Sequence, residues 1–286
     1  MKKQFTLLLL ILSVVSYYSS VIYAQNKPKG QTIIGDVLQV PKTTDVPTID
    51  GNMDDVWKNV TAVPLTLYEG ATGDSIAGLK DHAANFRLMW DPKFLYLFVS
   101  VIDDSLYGGN VSSPWLNDCV EVFLDGANEK ASSYDTNDVQ WRWVYGETPA
   151  NHPASSGKGE WVWKKSNLGY NFELRIPKDT LGAYAPLKDD QEIGFEISNG
   201  DAESAAGRDD VLHWWTRNGL TWNNPSLFGT AVLTANEVSS VMNINHTAQT
   251  PKIDGVKGSG EWDAANEISL NMIEGGDTSA AAVFAG

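Results

Sequence analysis

Asn85-Phe86-Arg87-Leu88-Met89-Trp90-Asp91-Pro92-Lys93-Phe94-Leu95-Tyr96-Leu97-Phe98-Val99-Ser100-Val101-Ile102 is the stretch that decides the fold. Its first part alternates, with Phe86, Leu88 and Trp90 on one face of an extended chain. Asp91-Pro92 marks a turn. From Phe94 to Ile102 the chain is continuously apolar and aromatic, the pattern of a strand covered on both faces. Working outward, Cys119-Val120-Glu121-Val122-Phe123-Leu124-Asp125 alternates again, setting Val120, Val122 and Leu124 against Glu121, Phe123 and Asp125. Gln140 to Tyr145, Tyr170 to Ile176 and Ile193 to Ile197 read the same way. Turn clusters separate them, at Gly108-Gly109-Asn110, Asp125-Gly126, Asn199-Gly200-Asp201 and Asn223-Asn224-Pro225. Helix signals are thin; Pro177 to Leu181 offers a turn or two at most. Many short strands without intervening helices predict an all-β fold, an antiparallel β-sandwich.

The composition narrows the function. The 286 residues carry 36 Asp+Glu against 21 Lys+Arg, a formal net charge of −15. Such a surface repels phosphate backbones and anionic membrane surfaces, which excludes nucleic acid as a partner. One cysteine, Cys119, rules out an intrachain disulfide, and its apolar strand predicts an inert thiol. Four dispersed histidines leave no HExxH spacing. The 11 Trp, 10 Tyr and 9 Phe instead suggest a large β core or a flat platform for a ligand.

Lys2-Lys3, an apolar run from Phe5 to about Val15 and Ile22-Tyr23-Ala24 have the form of a secretory signal peptide over 1–24, so the mature protein is expected to be secreted and free of the membrane. Residues 25–35 read as a flexible lead-in, and 36–239 as the sandwich. Near the other end the chain repeats itself. Val37-Leu38-Gln39-Val40 and Pro47-Thr48-Ile49-Asp50-Gly51 return as Val241-Met242-Asn243-Ile244 and Pro251-Lys252-Ile253-Asp254-Gly255, followed by Trp57 against Trp262. Residues 240–286 are therefore expected to be the incomplete N-terminal part of a second similar module, and the chain a piece of a longer protein.

Two loops stand out. Ser112 to Asp118 carries Trp115 just before the Glu121 strand, and Thr221 to Ser226 carries Trp222 before the last strand. A pyranose ring offers its C–H face to an indole, while its hydroxyls need polar partners at the rim. Two indoles across a slot would grip a sugar from both faces; alternatively, each seals an end of the sandwich.

Taken in order, several segments resemble carbohydrate-binding module family 9. They are Pro47–Trp57, Arg87–Asp91 with Leu95-Tyr96, Pro114–Asp125, Gln140-Trp141-Arg142, Ile193-Gly194-Phe195 leading to Asp201, and Trp222–Gly229. The resemblance implies a jelly-roll or DOMON-like sandwich, non-catalytic and often appended to xylanases. It also implies that Trp115 and Trp222 hold a glucan or xylan chain, Glu121 bonds the terminal sugar's hydroxyls, and Arg142 is its basic partner. Asp201 fits a polar position of the site, and Asn223 adjoins Trp222. Ser198 stands where a longer amide belongs in the family, so sugar preference and reducing-end selectivity are open. Structural calcium is implied too, with Asp103, Asp104, Asp118, Asp125, Asp135 and Asp138 as oxygen donors near loops. The polysaccharide is the expected partner, with a catalytic domain in sequence beyond residue 286.

Other classes compete. A glycoside hydrolase needs two facing carboxylates, and Glu121, Asp125, Glu173 and Glu196 are available without a motif to pair them. DOMON-like relatives carry haem, for which Met89 with Lys80 or His82 would serve. A structural adhesion or spacer module would use the tryptophans as end caps.

Overall fold

The computed structural model describes residues 33–34, 37–70, 81–153, 156–180, 187–216 and 218–239. The expected signal peptide, Lys80 and the expected second module at 240–286 lie outside them. The strands are β1 (Ile33–Ile34), β2 (Val37–Thr43), β3 (Val63–Pro64), β4 (Leu67–Gly70), β5 (His82–Trp90), β6 (Phe94–Asp103) and β7 (Cys119–Asp125). They continue as β8 (Asp138–Val144), β9 (Glu160–Lys165), β10 (Gly169–Pro177), β11 (Gln191–Asp201), β12 (Asp210–His213) and β13 (Gly229–Val238). One short helix, α1 (Asp55–Lys58), precedes β3. Among the described residues no helix is long and apolar enough to cross a membrane.

The sheets follow from the alternation. β5, β6, β10 and β9 form one antiparallel layer, and β8, β7 and β11 another. The far edge of β11 pairs with β13 through its first half and with β12 through its second, and β12 pairs with β4. The layers meet through aromatic rings: Phe86 of β5 lies 5.6 Å from Phe195 of β11, and Trp143 of β8 lies 5.4 Å from Phe172 of β10. Burying each such side chain stabilises the fold by about 1.5–3 kcal/mol.

The hairpin that decides the fold behaves as its pattern requires. Phe86, Leu88 and Trp90 join Leu95, Leu97, Val99 and Val101 in the core between the layers. The other face of β5 and β6 buries Met89, Tyr96 and Phe98 under Val56, Trp57 and Val60. α1 is thus the lid of a second, outer core. Glu173 of β10 anchors that lid, accepting from Trp57 Nε1 at 2.8 Å, Gly51 N at 2.8 Å and Asp50 N at 3.0 Å.

Three expectations change. The sandwich is not wholly antiparallel, since β2 pairs with β13, and at one point with β5, in parallel. The lead-in already contains β1, which pairs with β2. Asn199-Gly200-Asp201 is not a turn: β11 runs through it, because Asn199 Nδ2 donates to Cys119 O at 2.9 Å and to the Tyr170 hydroxyl at 2.7 Å inside the sandwich.

Candidate functional site

Directly paired residues on neighbouring strands share a face of the sheet. Register therefore lines up Arg142 of β8, Glu121 of β7, Ser198 of β11 and His213 of β12 in one row. On this row the Arg142 guanidinium donates through Nε to Glu121 Oε1. Gln140, two residues before Arg142 and so on the same face, donates through Nε2 to Glu121 Oε2 at 3.2 Å. Both carboxylate oxygens are thereby oriented. Burial works against the Arg142 charge, but Glu121 outweighs it and raises the guanidinium's pKa.

Trp115 joins this pair from its loop. The Arg142 Cζ lies 6.0 Å from the Trp115 ring centroid, within cation–π range. Trp115 sits in a 3₁₀ turn (Pro114–Leu116) that Pro114 opens. Buried Asn117 pins the loop: its Nδ2 donates to the carbonyls of Asn110 and Pro114 at 3.0 Å each, and its Oδ1 accepts from Asn110 N at 2.7 Å. Trp115 itself remains 46% exposed.

The loop that carries Trp222 is tied to the same face by a second route. The Tyr134 hydroxyl donates to Thr221 O at 2.8 Å, and the Tyr134 ring packs edge-on at 6.1 Å against Phe228. Phe228 in turn packs on Phe123, two residues along β7 from Glu121. Glu196, fully buried on β11, accepts from the backbone N–H groups of Trp214, Trp215 and Thr216 at 3.0–3.2 Å and so anchors the start of the loop to Trp222. Burial pushes that carboxyl up to about 7 despite these donors. Asn224 caps the following 3₁₀ turn (Pro225–Leu227), accepting from Ser226 N. Trp222 is 58% exposed, and Asn223 is exposed beside it.

The structure thus gathers Trp115, Glu121, Arg142 and Ser198 on one face, with the Trp222–Asn223 loop attached to that face. It does not bring Asp201 there. Asp201 lies three positions from Ser198, an odd spacing that turns it to the other face, where it is 1% exposed among Asp103 and Asp118 and beside His82 and Asp210. Of the residues that shape the site, Gln140 was readable from its alternation with Arg142. Tyr134, Glu196 and His213 act through contacts distant in sequence, whereas Asn117 acts within its own loop, on Asn110 and Pro114.

The Asp201 cluster has its own chemistry. Asp103, Asp118 and Asp201 each offer a carboxylate oxygen, all within 4.8 Å of one another. Asp118 accepts from Tyr107 N at 2.6 Å and Ala202 N at 2.7 Å, and Asp103 from Ser105 N at 2.9 Å. Asp201 Oδ1 is buried without a partner. Burial pushes Asp103 to about 6 and Asp118 and Asp201 each to about 8, with repulsion from Asp103 adding to the shift of the last two. His82 Nε2 meets Asn199 Oδ1 at 3.0 Å and Nδ1 meets the Asp210 carboxylate. Burial opposes the His82 charge, yet Asp210 prevails and raises its pKa. Three hard oxygen donors, with a buried Asp201 oxygen left without a partner, suit a calcium ion.

The other proposed chemistries find their residues engaged. Both ring nitrogens of His82 are bonded, and Met89 is fully buried in one cluster with Trp57. Glu173 and Glu196 spend their carboxylates on backbone and indole N–H groups of their own fold. Cys119 is buried, which pushes its thiol up to about 12 and keeps it protonated.

The chain matches the model of a family described as "Carbohydrate family 9 binding domain-like" over residues 49–236. It is similar to the exoglucanase XynX of Acetivibrio thermocellus, 28% identical over 74% of this chain and 19% of that one. A second relative is the endo-1,4-beta-xylanase A of Thermoanaerobacterium saccharolyticum, 26% identical over 91% of this chain and 20% of that protein. The chain thus spans about a fifth of these relatives' length. Among solved structures it resembles a family 9 carbohydrate-binding module from Caldicellulosiruptor kristjanssonii in complex with cellotriose. That likeness has 30% identity and a TM-score of 0.59, and covers 73% of this chain and all of that one.

Proposed function

The chain belongs to the family 9 carbohydrate-binding domains, and from that premise we propose that it is a secreted, non-catalytic module gripping a glucan or xylan chain between Trp115 and Trp222. The observation that carries this reading is the row beneath Trp115, where a guanidinium and a carboxylate lie bonded beside an exposed indole. Charged groups make short, directional bonds to hydroxyls, and an indole supplies the apolar face a pyranose needs. Glu121 would accept from the terminal sugar's hydroxyls and Arg142 would donate to its oxygens. Ser198 lies next to them in the row, and Asn223 borders Trp222 at the rim.

The relatives named as xylanases and exoglucanase are several times longer than this chain. In our reading the module is an accessory that holds plant polysaccharide near a glycoside hydrolase domain. The cellotriose in the Caldicellulosiruptor module supports β-glucan as one ligand class. We further propose structural calcium at Asp103, Asp118 and Asp201, where the unpartnered Asp201 oxygen supports it.

Intrinsic fluorescence titration with cellobiose, xylobiose and their reduced alditols tests the grip. Sugar should shift tryptophan emission, and Trp115→Ala and Trp222→Ala should each abolish the shift. Weaker binding of the alditols would identify a reducing-end site. Unchanged emission at millimolar sugar, with no heat by calorimetry, would overturn the proposal.

A further inference from the structure

We propose that Glu69 is a further sugar-binding group of this site, accepting from hydroxyls of the pyranose unit next to the one held at Glu121 and Arg142. The inference rests on the sugar-binding reading above and adds a specificity determinant to it.

The row of the site continues past Ser198. Glu121 and His213 flank Ser198 on either side in direct register. Strands in a sheet stand about 4.8 Å apart, so these two lie about 10 Å apart, a span longer than one pyranose ring. At the far end the His213 Nε2 meets Glu69 Oε2 at 3.2 Å. A carboxylate only accepts, so Nε2 carries the hydrogen and His213 aims the Glu69 side chain. The histidine is buried, whereas the Glu69 side chain is 33% exposed. Among the described residues, no hydrogen bond reaches its Oε1. The His213 bond, against the effect of partial burial and with help from the His213 and Arg208 charges, holds Glu69 below the ordinary carboxylate range. It is thus an ionised acceptor open to solvent.

A second observation places it beside the tryptophan loop. A Cβ added at Gly219 would lie 2.2 Å from Glu69 Oε1 and 2.8 Å from Oε2. The carboxylate therefore fills the space that any side chain at 219 would take, three residues before Trp222. A side chain there and Glu69 in its present place exclude one another. The loop that carries one jaw of the proposed clamp has given up its own side chain in favour of a carboxylate delivered from β4. Glu121 and Glu69 then stand as two acidic stations toward the two ends of one row, with the small, buried Ser198 between them.

Calorimetry on the full chain with glucose, cellobiose and cellotriose, alongside thermal unfolding, tests the idea. Glu69→Gln retains shape and loses the charge; a hydrogen bond to a charged group is worth roughly tenfold or more in affinity. We expect that loss for cellobiose, a smaller one for glucose, and an unshifted melting temperature. Gly219→Ala, which leaves Glu69 intact but displaces it, should weaken cellobiose in the same direction. Cellobiose affinity equal to wild type in a folded Glu69→Gln overturns the role of Glu69. Wild-type protein that binds none of the three sugars overturns the parent reading instead, so the two failures are separable.

Discussion

Tyr134 donates its hydroxyl to the carbonyl of Thr221, 2.8 Å away, and so ties the β7–β8 connection to the residue before Trp222. Burial raises the phenol's pKa, which keeps that hydrogen in place at any physiological pH. Tyr134→Phe retains the ring against Phe228 and removes only this bond. A hydrogen bond of this kind contributes about 0.5–1.5 kcal/mol. Sugar affinity should fall roughly three- to tenfold while thermal unfolding moves little. Equal affinity by calorimetry would show that the Trp222 loop is held without Tyr134.

Glu121→Gln should separate binding from stability. The amide oxygen still faces Arg142 Nε, and the exchangeable amide of Gln140 can turn its oxygen to the new N–H, so both contacts survive without the charge. Affinity for cellobiose should drop at least about tenfold, the scale of a lost charge-assisted bond. A large fall in melting temperature with affinity intact would make the pair a strut of the sheet.

Calcium should raise the melting temperature, and chelation should lower it by several degrees. The pH dependence carries a definite sign. Asp118 and Asp201, pushed to about 8 without metal, and Asp103, pushed to about 6, bind protons more tightly folded than unfolded. Raised folded-state values favour the native protein as protons are taken up. The metal-free protein should therefore gain stability as pH falls from 8 toward 5. His82, also raised, acts in the same direction, its contribution lost as pH climbs through its folded value. Saturating calcium should flatten this slope, as followed by calorimetric scans at several pH values. A chelator without effect at pH 7 would remove calcium from the account.

Glu173→Gln tests the outer core. The carboxylate accepts three N–H groups, including the Trp57 indole, and is wholly buried. An amide turns its own N–H toward one of those donors, a cost of about 1–3 kcal/mol. The melting temperature should fall by several degrees. Sugar affinity, which we place on the other layer, should not change.

The sandwich was legible because burial writes itself into local pattern. In the run from Phe94 to Ile102, Leu95, Leu97, Val99 and Val101 enter one core while Tyr96 and Phe98 enter another, which α1 with Trp57 completes. Strands at the margins escaped. Glu160–Lys165 is half exposed and mixed in polarity, and Leu67–Gly70 and Asp210–His213 are four residues each. The turn chemistry of Asn199-Gly200-Asp201 misled because the Asn199 amide is satisfied by Cys119 and Tyr170, from strands far away in sequence. Glu121 and Arg142 were found by family likeness. Their mutual bond depends on the β7–β8 register, which sequence alone does not supply. Asp201 could have been turned away from the Glu121 row by counting from Ser198, since three steps along a strand reverse the face.

The parallel zipper between β2 and β13, in which Val37 and Leu38 lie beside Thr230 and Ala231, sets an order of events during synthesis. The segment made first has its permanent neighbour made last, so the layers stay open at that seam until residue 238 clears the ribosome. Contacts so remote along the chain are slow to form. Newly made protein would therefore leave a strand edge unsheltered for longer than a hairpin-built sandwich does, a period in which a chaperone has something to hold.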